Sequence, residues 1–486
     1  MAEHFGSDIL GPEDDTKVVN IVSPYNGELL ATLETQSWVQ AHTALEVATA
    51  LYQDRSNWLS PAQRSNILQL TALKLTEAQE EFALRISQEG GKPLVDARVE
   101  VTRAIESLEI AARTIHTLAG HEVPMNLNGV SRNHMAFTRF EPKGVVVAIT
   151  AFNHPLNQVT HPIACSIAAG CPIIIKPAED TPLSCIALVA LLRESGLPKN
   201  FCQIIHLWDK NLAERLATDP RVNLLHFTGS AEVGWRLRSL IAPGTDCILE
   251  HGGASALIIS PEVPEEECIA PIIKSAFTHA GQLCVSLQRL FVHYKMAKKI
   301  SKLLTEAANS LKIGDPTAET TKLGPMIRKP ELKRVHRWVS SAIESGGKIL
   351  CGGKPQSDTC YPATIILDPS PNCELSTQEV FGPVLAIYTY DNLETAFAQA
   401  NALPFRFQSS VFTKNIDLAL YAGQHLKANT VLINEIPSFR VDWMPFEGSH
   451  QSGLGVGGIE STIRKMSQSK LWIFKSLGLD AISYKI

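Results

Sequence analysis

The sequence predicts an α/β protein built from two lobes, each with a mainly parallel sheet, plus a small β extension. Short apolar runs alternate with amphipathic helical patterns over residues 145–249, and a second alternation begins near residue 254. Strands and helices that alternate at this spacing form βαβ units, which build parallel sheets. The length of 486 residues allows two to four domains of about 150 residues each. A crevice between the two lobes is the expected ligand site.

The first 120 residues are mostly helical in pattern behind a short hairpin. Val18–Val22 and Leu29–Leu33 flank a turn-like Ser-Pro-Tyr-Asn-Gly sequence, which predicts the hairpin. Apolar residues at i, i+3, i+4 spacing then predict three helices, at Ser37–Asp54, Ser60–Gln88 and Leu94–Leu118.

The first alternating block contains five short apolar runs with helical patterns between them. The predicted strands are Val145–Thr150, Ile173–Lys176, Gln203–His206, Leu224–Phe227 and Cys247–Leu249. The predicted helices are Gln158–Ala169, Leu183–Ser195, Asn211–Ala217 and Ala231–Ile241.

The second alternating block predicts six strands and five helices. The strands are Ala256–Ile259, Gln288–Tyr294, Lys348–Leu350, Val384–Tyr388, Ser410–Phe412 and Val431–Ile433. The helices are Glu265–Ala280, Met296–Asn309, Lys329–Ser345, Glu394–Ala400 and Ile416–Gln424.

An isolated β-like run, Ser469–Ser476, follows both blocks. We expect it to pair with an exposed strand such as His134–Arg139, within the chain or across a subunit boundary.

Composition and charge exclude several classes of protein. Apolar residues make up 45% of the chain, and the formal net charge is −5. This mild acidity argues against a surface that binds nucleic acid. The longest apolar window, Cys185–Leu192, is far shorter than the roughly 18 residues of a membrane span. We therefore expect neither nucleic acid nor membrane as a partner.

The ten cysteines show no C-x-x-C pair and no regular spacing. They are typical of reduced thiols rather than of a disulfide framework or a zinc site, so no metal is predicted. The acidic, polar first 15 residues lack the layout of a secretory signal. A cytoplasmic location is expected.

Two glycine-rich segments resemble nucleotide-binding motifs only by letter. Gly453–Gly458 satisfies G-x-G-x-x-G, but polar residues precede it where a dinucleotide fingerprint needs an apolar strand. A flexible loop is the better interpretation. Gly229–Gly234 opens like a phosphate-binding loop, but Trp235 and Arg236 stand where Lys and Ser/Thr are required. Hydrolysis of nucleoside triphosphates is therefore disfavoured.

The sequence Phe-Thr-Gly-Ser at residues 227–230 follows an apolar strand and opens a helix. Free N–H groups and the helix dipole favour an anion such as a pyrophosphate there. The alternative is an ordinary strand–helix corner with Ser230 as the N-cap.

Three further residues lie where chemistry is often placed, although each has an ordinary alternative. Cys284 lies on irregular backbone between a predicted helix and a strand, whereas most cysteines are structural core residues. Glu250 ends a strand and precedes two glycines, but it could equally be a solvated strand end. Asn153 follows the strand Val145–Thr150, where an exposed turn Asn is the default.

Taken together, the motifs resemble the aldehyde dehydrogenase superfamily in order and spacing. Six segments carry the resemblance: Ala-Phe-Asn-His-Pro at 151–155, Ile-Lys-Pro-Ala-Glu at 175–179, Phe-Thr-Gly-Ser at 227–230, Leu-Glu-His-Gly-Gly at 249–253, Gly-Gln-Leu-Cys at 281–284 and Glu-Val-Phe-Gly-Pro at 379–383. The resemblance extends over residues 15–480. It implies oxidation of an aldehyde to a carboxylic acid with NAD or NADP.

The resemblance also implies the roles of the catalytic residues. Cys284 would attack the aldehyde carbon as a thiolate, and the amide of Asn153 would stabilise the oxyanion together with the Cys284 N–H. After hydride transfer to the nicotinamide, Glu250 would activate the water that hydrolyses the thioester.

For the coenzyme, the resemblance implies eight residues. Lys176 and Glu179 would hold the adenosine ribose, and Glu179 favours NAD because a carboxylate repels a 2′-phosphate. NADP remains the alternative. The full predicted set is Thr150, Lys176, Glu179, Gly229, Ser230, Val233, Glu379 and Phe381.

The substrate class follows from similarity to the lactaldehyde and phosphonoacetaldehyde dehydrogenase-like branch, which acts on small polar or anionic aldehydes. Arg103, His154 and Arg440 stand at positions that would contact an anionic end, and guanidinium groups suit phosphonate, phosphate or carboxylate. The alternative is that Arg103 is an ordinary charge on a helix face and Arg440 a loop charge that is paired locally. Leu283 weakens the phosphonate case, because an Arg normally precedes the nucleophile.

The family fold implies a domain organisation and a partner. The Rossmann-like coenzyme domain would take residues 1–122 and 143–252, the catalytic domain residues 253–465, and the oligomerisation strands residues 123–142 and 466–486. A homodimer or a homotetramer is expected.

Departures from the family pattern keep two alternatives open. His251, Ala254 and Glu447 differ from the usual residues, and Phe405–Phe407 replaces a common Tyr-Gly-Leu. A coenzyme-binding homologue with impaired catalysis is therefore one alternative. A coenzyme-A-acylating enzyme is the other, although such enzymes lack the hydrolytic Glu that Glu250 supplies.

Overall fold

The computed structural model describes residues 3–6 and 16–479. Residues 1–2, 7–15 and 480–486 lie outside the described residues. They belong to the first part of the predicted coenzyme domain and to the end of the predicted oligomerisation segment 466–486.

A six-stranded sheet forms the first lobe, and its strand order shows at which edge a ligand is expected to bind. Five strands are parallel, and their spatial order is 3-2-1-4-5 when they are numbered along the chain. The order reverses between Val146–Ile149 and Leu224–Thr228, and ligands bind beyond the carboxyl ends of strands at such a reversal. The spatial sequence of strands is Gly453–Leu454, Asp246–Glu250, Leu224–Thr228, Val146–Ile149, Ile173–Lys176 and Cys202–Ile204.

Helices cover both faces of this sheet because alternate strand residues are apolar on each side. Val146, Ile173 and Ile248 pack on one face, against the helices Pro61–Glu77, Gln79–Gly90, Leu94–Thr117, Asn157–Ala169, Leu183–Glu194 and Ile459–Lys465. Val147 and Leu225 pack on the other, against Trp38–Gln53, Lys210–Ala217 and Ala231–Leu240.

A seven-stranded sheet forms the second lobe. All its neighbouring strands are parallel except the pair made by Lys348–Cys351. Its spatial order is Lys348–Cys351, Thr364–Leu367, Val384–Tyr390, Leu287–His293, Ser255–Ile259, Gln408–Phe412 and Thr430–Ile433. The helices around it are Glu265–Phe277, Tyr294–Asn309, Lys329–Glu344, Glu374–Thr377, Leu393–Ala400 and Ile416–His425.

Smaller elements complete the chain. His134–Pro142 pairs with Ser467–Lys475 and Glu122–Val123, and Leu29–Glu34 pairs with Glu3–Phe5 and Val18–Val22. Two short ribbons join Phe405–Arg406 to Ser449–His450 and Phe446–Glu447 to Val456–Gly457. Short 3₁₀ turns lie at Arg55–Asn57, Lys199–Phe201 and Thr278–Gly281.

The α/β alternation, the hairpin and the pairing of the tail strand are confirmed. The tail pairs within the chain, antiparallel along the whole of His134–Pro142. The strand Thr364–Leu367 and the helix Ile459–Lys465 were not predicted. Among the described residues, no helix is both long and apolar enough to cross a bilayer.

Three predicted segments need correction. The helix predicted at Ser60–Gln88 is interrupted at Ala78 (φ −96°, ψ 14°), and two glutamates in the next turn favour a new helix start there. The helix predicted to end at Ala280 ends at Phe277, because His279 and Ala280 are left-handed. The glycine-rich loop predicted to be flexible is ordered, since Gly453–Leu454 pairs antiparallel with the strand Asp246–Glu250.

Candidate active site

A cavity of about 330 Å³ lies at the carboxyl edge of the six-stranded sheet, between Glu250 at the end of its strand and Cys284 in the loop before the strand Leu287–His293. It collects five of the predicted site residues, from segments distant in the sequence. These are Arg103, His154, Glu250, Cys284 and Arg440.

Cys284 is the cysteine with access to this cavity. All ten cysteines lie in the described part of the chain, and all are free; nine are buried, and Cys284 is partly exposed. The backbone just before it is unusual, since His279, Ala280 and Gly281 have φ values of 51°, 54° and 67°. Left-handed non-glycine residues cost about 1–2 kcal/mol each. This turn ends the helix and directs the chain to the cavity.

Gln282 and Asn153 fix the loop that carries the thiol. The side chain of Gln282 accepts a hydrogen bond from the N–H of Ile327 at 3.0 Å and donates to the carbonyl of Pro325 at 3.3 Å. The Nδ2 of Asn153 donates to the carbonyl of Gln282 at 2.9 Å. An amide nitrogen carries two N–H groups, and this hydrogen bond uses one of them; Asn153 itself is buried and is not among the residues that line the cavity.

The Cys284 thiol is protonated in the absence of ligands. Burial raises its pKa to about 12, although the Arg440 guanidinium lowers it, and the carboxylates of Glu379 and Glu250 add to the rise. Because the thiolate is the nucleophile, bond formation with an aldehyde requires removal of this proton.

Glu250 ends its strand with its carboxylate directed to the same cavity. Its Oε1 is buried and has no hydrogen-bond partner among the described residues. A Cβ at Gly457 would lie 2.5 Å from this oxygen, so glycine is needed beside the carboxylate. The carboxylate is thereby left free to accept a proton from a water molecule.

Two arginines share one carboxylate at the far side of the cavity. Arg103 donates to Asp442 through Nε and Nη2, both at 2.9 Å. Arg440 lies with its Nε 3.4 Å from Asp442 Oδ1 and with its guanidinium 3.7 Å from the ring centroid of Phe446. Among the described residues, Arg440 makes no hydrogen bond, so its donors are available to an anion.

His154 lines the cavity but is not a cation. Its Nδ1 lies 2.8 Å from Lys92 Nζ and 3.3 Å from Glu100 Oε2, and Lys92 and Glu100 form a buried ion pair. Burial and the neighbouring Lys92 lower the pKa of His154 to about 4. His154 can therefore contact a substrate only as a neutral hydrogen-bonding group.

His161 and His226 also line the cavity, and the sequence analysis missed both. His161 lies on the helix Asn157–Ala169 and His226 on the strand Leu224–Thr228, each within an apolar pattern that indicates only core. Their ring centroids are 5.9 Å apart. Burial lowers the pKa of His161 to about 4 and also lowers the pKa of His226.

The predicted coenzyme residues do not line this cavity, and Thr150, Lys176 and Glu179 lie at the carboxyl edge of the six-stranded sheet. Lys176 Nζ lies 3.4 Å from Glu179 Oε1, and burial lowers the pKa of Lys176. The N–H of Thr150 donates to the carbonyl of Lys176 at 3.2 Å. Next to them, Arg328 donates to Asp180 at 2.9 Å.

Gly229, Ser230 and Val233 lie at the start of the helix Ala231–Leu240. Ser230 occupies the N-cap position, but its side chain makes no capping hydrogen bond. Val233 is exposed on the first turn. The N–H groups of this helix start are therefore not satisfied by a side-chain cap, as an anion site requires.

Glu379 and Phe381 lie in the loop before the strand Val384–Tyr390. The N–H of Gly253 donates to Glu379 at 3.1 Å, and burial raises the pKa of Glu379 to about 8. Phe381 has a left-handed φ of 47° and meets Phe152 edge to face at 5.8 Å. A Cβ at Gly252 would overlap the Glu379 carboxylate.

The departures from the family pattern are accommodated structurally. His251 is buried between the rings of Phe227 and Trp235, and a Cβ at Gly234 would overlap it. The carbonyl of Ala254 accepts a hydrogen bond from Arg289 at 3.0 Å. Glu447 pairs with Val456 in a short ribbon, and Leu283 is a buried cavity wall.

The fold and the cavity define a class of protein: an α/β enzyme with a nucleotide-type sheet, a thiol in a cavity and a carboxylate whose Oε1 has no hydrogen-bond partner in the described part of the chain. The model of the aldehyde dehydrogenase family matches residues 11–472. The chain belongs to this family of NAD(P)-dependent oxidoreductases.

Two relatives of known name are similar over nearly their whole length. The chain is 35% identical over 460 residues to 3-sulfolactaldehyde dehydrogenase of Priestia aryabhattai, covering 92% of this chain and 96% of the relative. It is 32% identical over 458 residues to lactaldehyde dehydrogenase of Methanococcus aeolicus, covering 93% and 96%. The predicted similarity to the lactaldehyde-like branch is confirmed.

Solved structures agree with the fold. Aldehyde dehydrogenase 21 of Physcomitrella patens, in complex with the reaction product succinate, matches with a TM-score of 0.93 and 29% identity, over 98% of this chain and 99% of that one. A glyceraldehyde-3-phosphate dehydrogenase of Methanocaldococcus jannaschii, complexed with NADP, matches with a TM-score of 0.89 and 31% identity, over 94% and 99%.

Proposed function

We propose that this protein oxidises a short aldehyde with an anionic end to the corresponding carboxylic acid. The observation that carries the proposal is the cavity itself, which combines a partly exposed thiol, a carboxylate and a guanidinium; within residues 3–6 and 16–479, Glu250 Oε1 and Arg440 Nε have no hydrogen-bond partner. The thiol would serve as the nucleophile, the carboxylate as the base and the guanidinium as the group that binds the anionic end.

The chain's own residues supply nucleophile, oxyanion donor and base. The sulfur of Cys284 loses its proton and bonds to the carbonyl carbon, and the free N–H of Asn153 stabilises the oxyanion. A nicotinamide coenzyme, held by the residues along the carboxyl edge of the six-stranded sheet, would supply the acceptor for the hydride that this carbon loses. The product on the protein is a thioester, and the Glu250 carboxylate takes a proton from the water that attacks it. The carboxylic acid leaves and the thiol is regenerated.

The coenzyme would lie along the carboxyl edge of the six-stranded sheet. In this proposal Lys176 and Glu179 would hold the adenosine ribose, the uncapped helix start at Ser230 would bind the pyrophosphate, and Glu379 would bind the second ribose. Glu179 disfavours a 2′-phosphate, and the nearby Arg328 is already paired with Asp180. We infer that NAD is preferred; a large kcat/KM advantage for NADP would contradict this.

The substrate class rests on Arg440. Its guanidinium is partly buried, lines the cavity and makes no hydrogen bond among the described residues, so an anion can satisfy its donors. One relative is named for 3-sulfolactaldehyde, which carries a sulfonate. The structure of another holds the dicarboxylate succinate as its reaction product. Sulfonate-, phosphate- and carboxylate-bearing aldehydes of three or four carbons form the proposed class.

The proposal is tested by NADH formation over a panel of small aldehydes, with product analysis. We expect the highest kcat/KM for anionic aldehydes and the free acid as product, without any effect of added coenzyme A. A requirement for coenzyme A would identify the acylating alternative. Coenzyme binding without NADH formation from any aldehyde would identify the catalytically impaired alternative.

The proposal extends to domains, assembly and location. The coenzyme domain would comprise residues 1–122 and 143–252, the catalytic domain residues 253–465 and the oligomerisation strands residues 123–142 and 466–486. The exposed apolar side chains of the tail strand support a homodimer or homotetramer. The ten free thiols suit a reducing compartment such as the cytoplasm.

A further inference from the structure

Next to the thiol, three potential metal ligands converge from three different elements. One ligand atom from each of His161, His226 and Glu250 lies within 4.8 Å of the other two. His226 pairs with Ile248 across the neighbouring strands, and Glu250 is two residues further on, so both side chains lie on the same face of the sheet. The helix Asn157–Ala169, which carries His161, covers that face.

These side chains lack the partners that buried polar groups normally have. His161 is 8% exposed and His226 is 1% exposed. Five of their atoms have no hydrogen-bond partner within residues 3–6 and 16–479. They are the two ring nitrogens of His161, the two ring nitrogens of His226 and the Oε1 of Glu250. Buried imidazoles are almost always hydrogen-bonded or ligated. Two of them without partners, facing the same carboxylate, therefore indicate a missing ligand.

We propose that His161, His226 and Glu250 form a binding site for one divalent transition-metal ion of the zinc type. Two neutral imidazoles and one carboxylate are a donor set that Zn²⁺ accepts, and three protein ligands leave a coordination position open towards the cavity. The site is distinct from the thiol, because the three ligands provide only nitrogen and oxygen donors. The earlier expectation of no metal rested on sequence spacing, which cannot register ligands brought together by sheet pairing.

The ion would act as an inhibitor of turnover. A metal bound to Glu250 removes the carboxylate that the thioester hydrolysis needs, so hydride transfer could occur once per chain and hydrolysis would then be slow. This consequence rests on the proposed function, whereas metal uptake by the protein does not.

The first test measures metal uptake by the full-length protein without substrate. Chelator-treated protein is dialysed against Zn²⁺, and bound zinc per chain is determined for wild type, His161→Asn, His226→Asn and Cys284→Ser. His425→Asn, an exposed histidine on the helix Ile416–His425, is the matched control. We expect one zinc per chain in wild type, Cys284→Ser and His425→Asn, and at least tenfold weaker binding in both of the other histidine variants.

Binding that persists in both His161→Asn and His226→Asn, that disappears in Cys284→Ser, or that is absent from the wild type would overturn the proposal. Circular dichroism and melting temperature establish that each variant is folded before it is scored, and the two histidine variants serve as independent replicates. Co²⁺ substitution adds a spectroscopic readout: we expect ligand-field bands without a thiolate charge-transfer band, and such a charge-transfer band would contradict the assignment.

The second test measures turnover with Zn²⁺ added. We expect Zn²⁺ to inhibit the wild type and a chelator to relieve this inhibition. In His226→Asn, inhibition should require at least tenfold more Zn²⁺. Equal sensitivity of the two proteins would overturn the inhibitory role. If metal binds as proposed but no aldehyde is oxidised by any form, the proposed function fails while the metal site stands.

Discussion

At the residue scale, burial raises the pKa of the Cys284 thiol. The thiol is the partly exposed cysteine of the described chain, yet its pKa is raised to about 12 because its surroundings are mostly desolvating. A raised pKa keeps the sulfur protonated, and thus unreactive, until a substrate and a proton acceptor are both in place.

This raised pKa predicts how the coenzyme-free enzyme reacts with iodoacetamide. While the pH is well below the pKa of a thiol, its thiolate fraction grows tenfold per pH unit. The alkylation rate of Cys284 should therefore still be rising at about pH 9, above the usual thiol pKa of about 8.5. The rate is measured by mass spectrometry of the modified peptide, with Cys284→Ser as the control. A plateau near neutral pH would show that the thiol is activated before substrate binds.

Arg440 is the second residue with a specific prediction. Replacing it by Ala removes a charge-assisted hydrogen bond worth about 1.5–3 kcal/mol, which corresponds to a roughly 10- to 100-fold rise in KM for anionic aldehydes. Neutral aldehydes should change little. The matched control is Arg464→Ala, which removes an exposed arginine paired with Glu460. Equal rises for anionic and neutral aldehydes would rule out the anion-binding role.

At the element scale, the left-handed turn at Thr278–Gly281 determines where the thiol lies. Gly281 has φ +67°, and a Cβ there would overlap the carbonyl of Gly382. Gly281 therefore couples the thiol loop to the loop that carries Glu379 and Phe381.

Gly281→Ala should lower kcat at least tenfold, because the overlap displaces the backbone just before Cys284. Gly196→Ala is the control, since its φ is +95° but its Cβ would meet nothing within 4 Å. In both variants alanine must adopt a left-handed conformation, which costs about 1–2 kcal/mol, so a similar loss of melting temperature is expected from this cost. If the two variants have the same kcat, the turn does not position the thiol.

Elements and motifs were predictable from the sequence because they are local. The βαβ alternation and the motifs around Asn153, Glu250 and Cys284 are encoded within short segments, and the sheets bring them to one edge. The cavity's charge arrangement was not predictable, because it depends on pairings between distant residues. Arg103 and Asp442, for example, are separated by 339 positions.

The ends of elements were predicted less well than their existence. The apolar pattern of the helix Glu265–Phe277 continues to Ala280, so periodicity alone could not register the left-handed backbone at His279 and Ala280. The histidines at 161 and 226 are likewise polar residues inside apolar patterns, and only the packing of helix on sheet reveals that they face Glu250.

At the scale of the whole molecule, the tail strand Ser467–Lys475 is an edge strand with exposed apolar side chains. Leu471, Trp472, Ile473 and Phe474 are all exposed by a third or more, and Phe137 stacks with Trp472 and Phe474. An uncovered edge of this kind is a template for pairing with a second copy.

Ile473→Asp should shift the protein towards the monomer, because it places a charge in a contact that would otherwise bury an apolar side chain. Ile473 is 57% exposed in the single chain. Light scattering coupled to size exclusion measures the mass, with Ile416→Asp as the control at a still more exposed isoleucine, on the helix Ile416–His425 (70%). An unchanged oligomer, or a wild type that is already monomeric, would contradict the assembly proposed here.

The central claim is that an aldehyde is held as an acyl group on Cys284 and released by Glu250. The most direct test mixes Glu250→Gln with coenzyme and a small anionic aldehyde, follows NADH by absorbance and maps the adduct by mass spectrometry. We predict a burst of NADH of about one equivalent per chain, as expected for covalent catalysis with blocked hydrolysis, and an acyl adduct that maps to the peptide containing Cys284. Steady turnover at the wild-type rate, or an adduct on any other residue, would contradict the account.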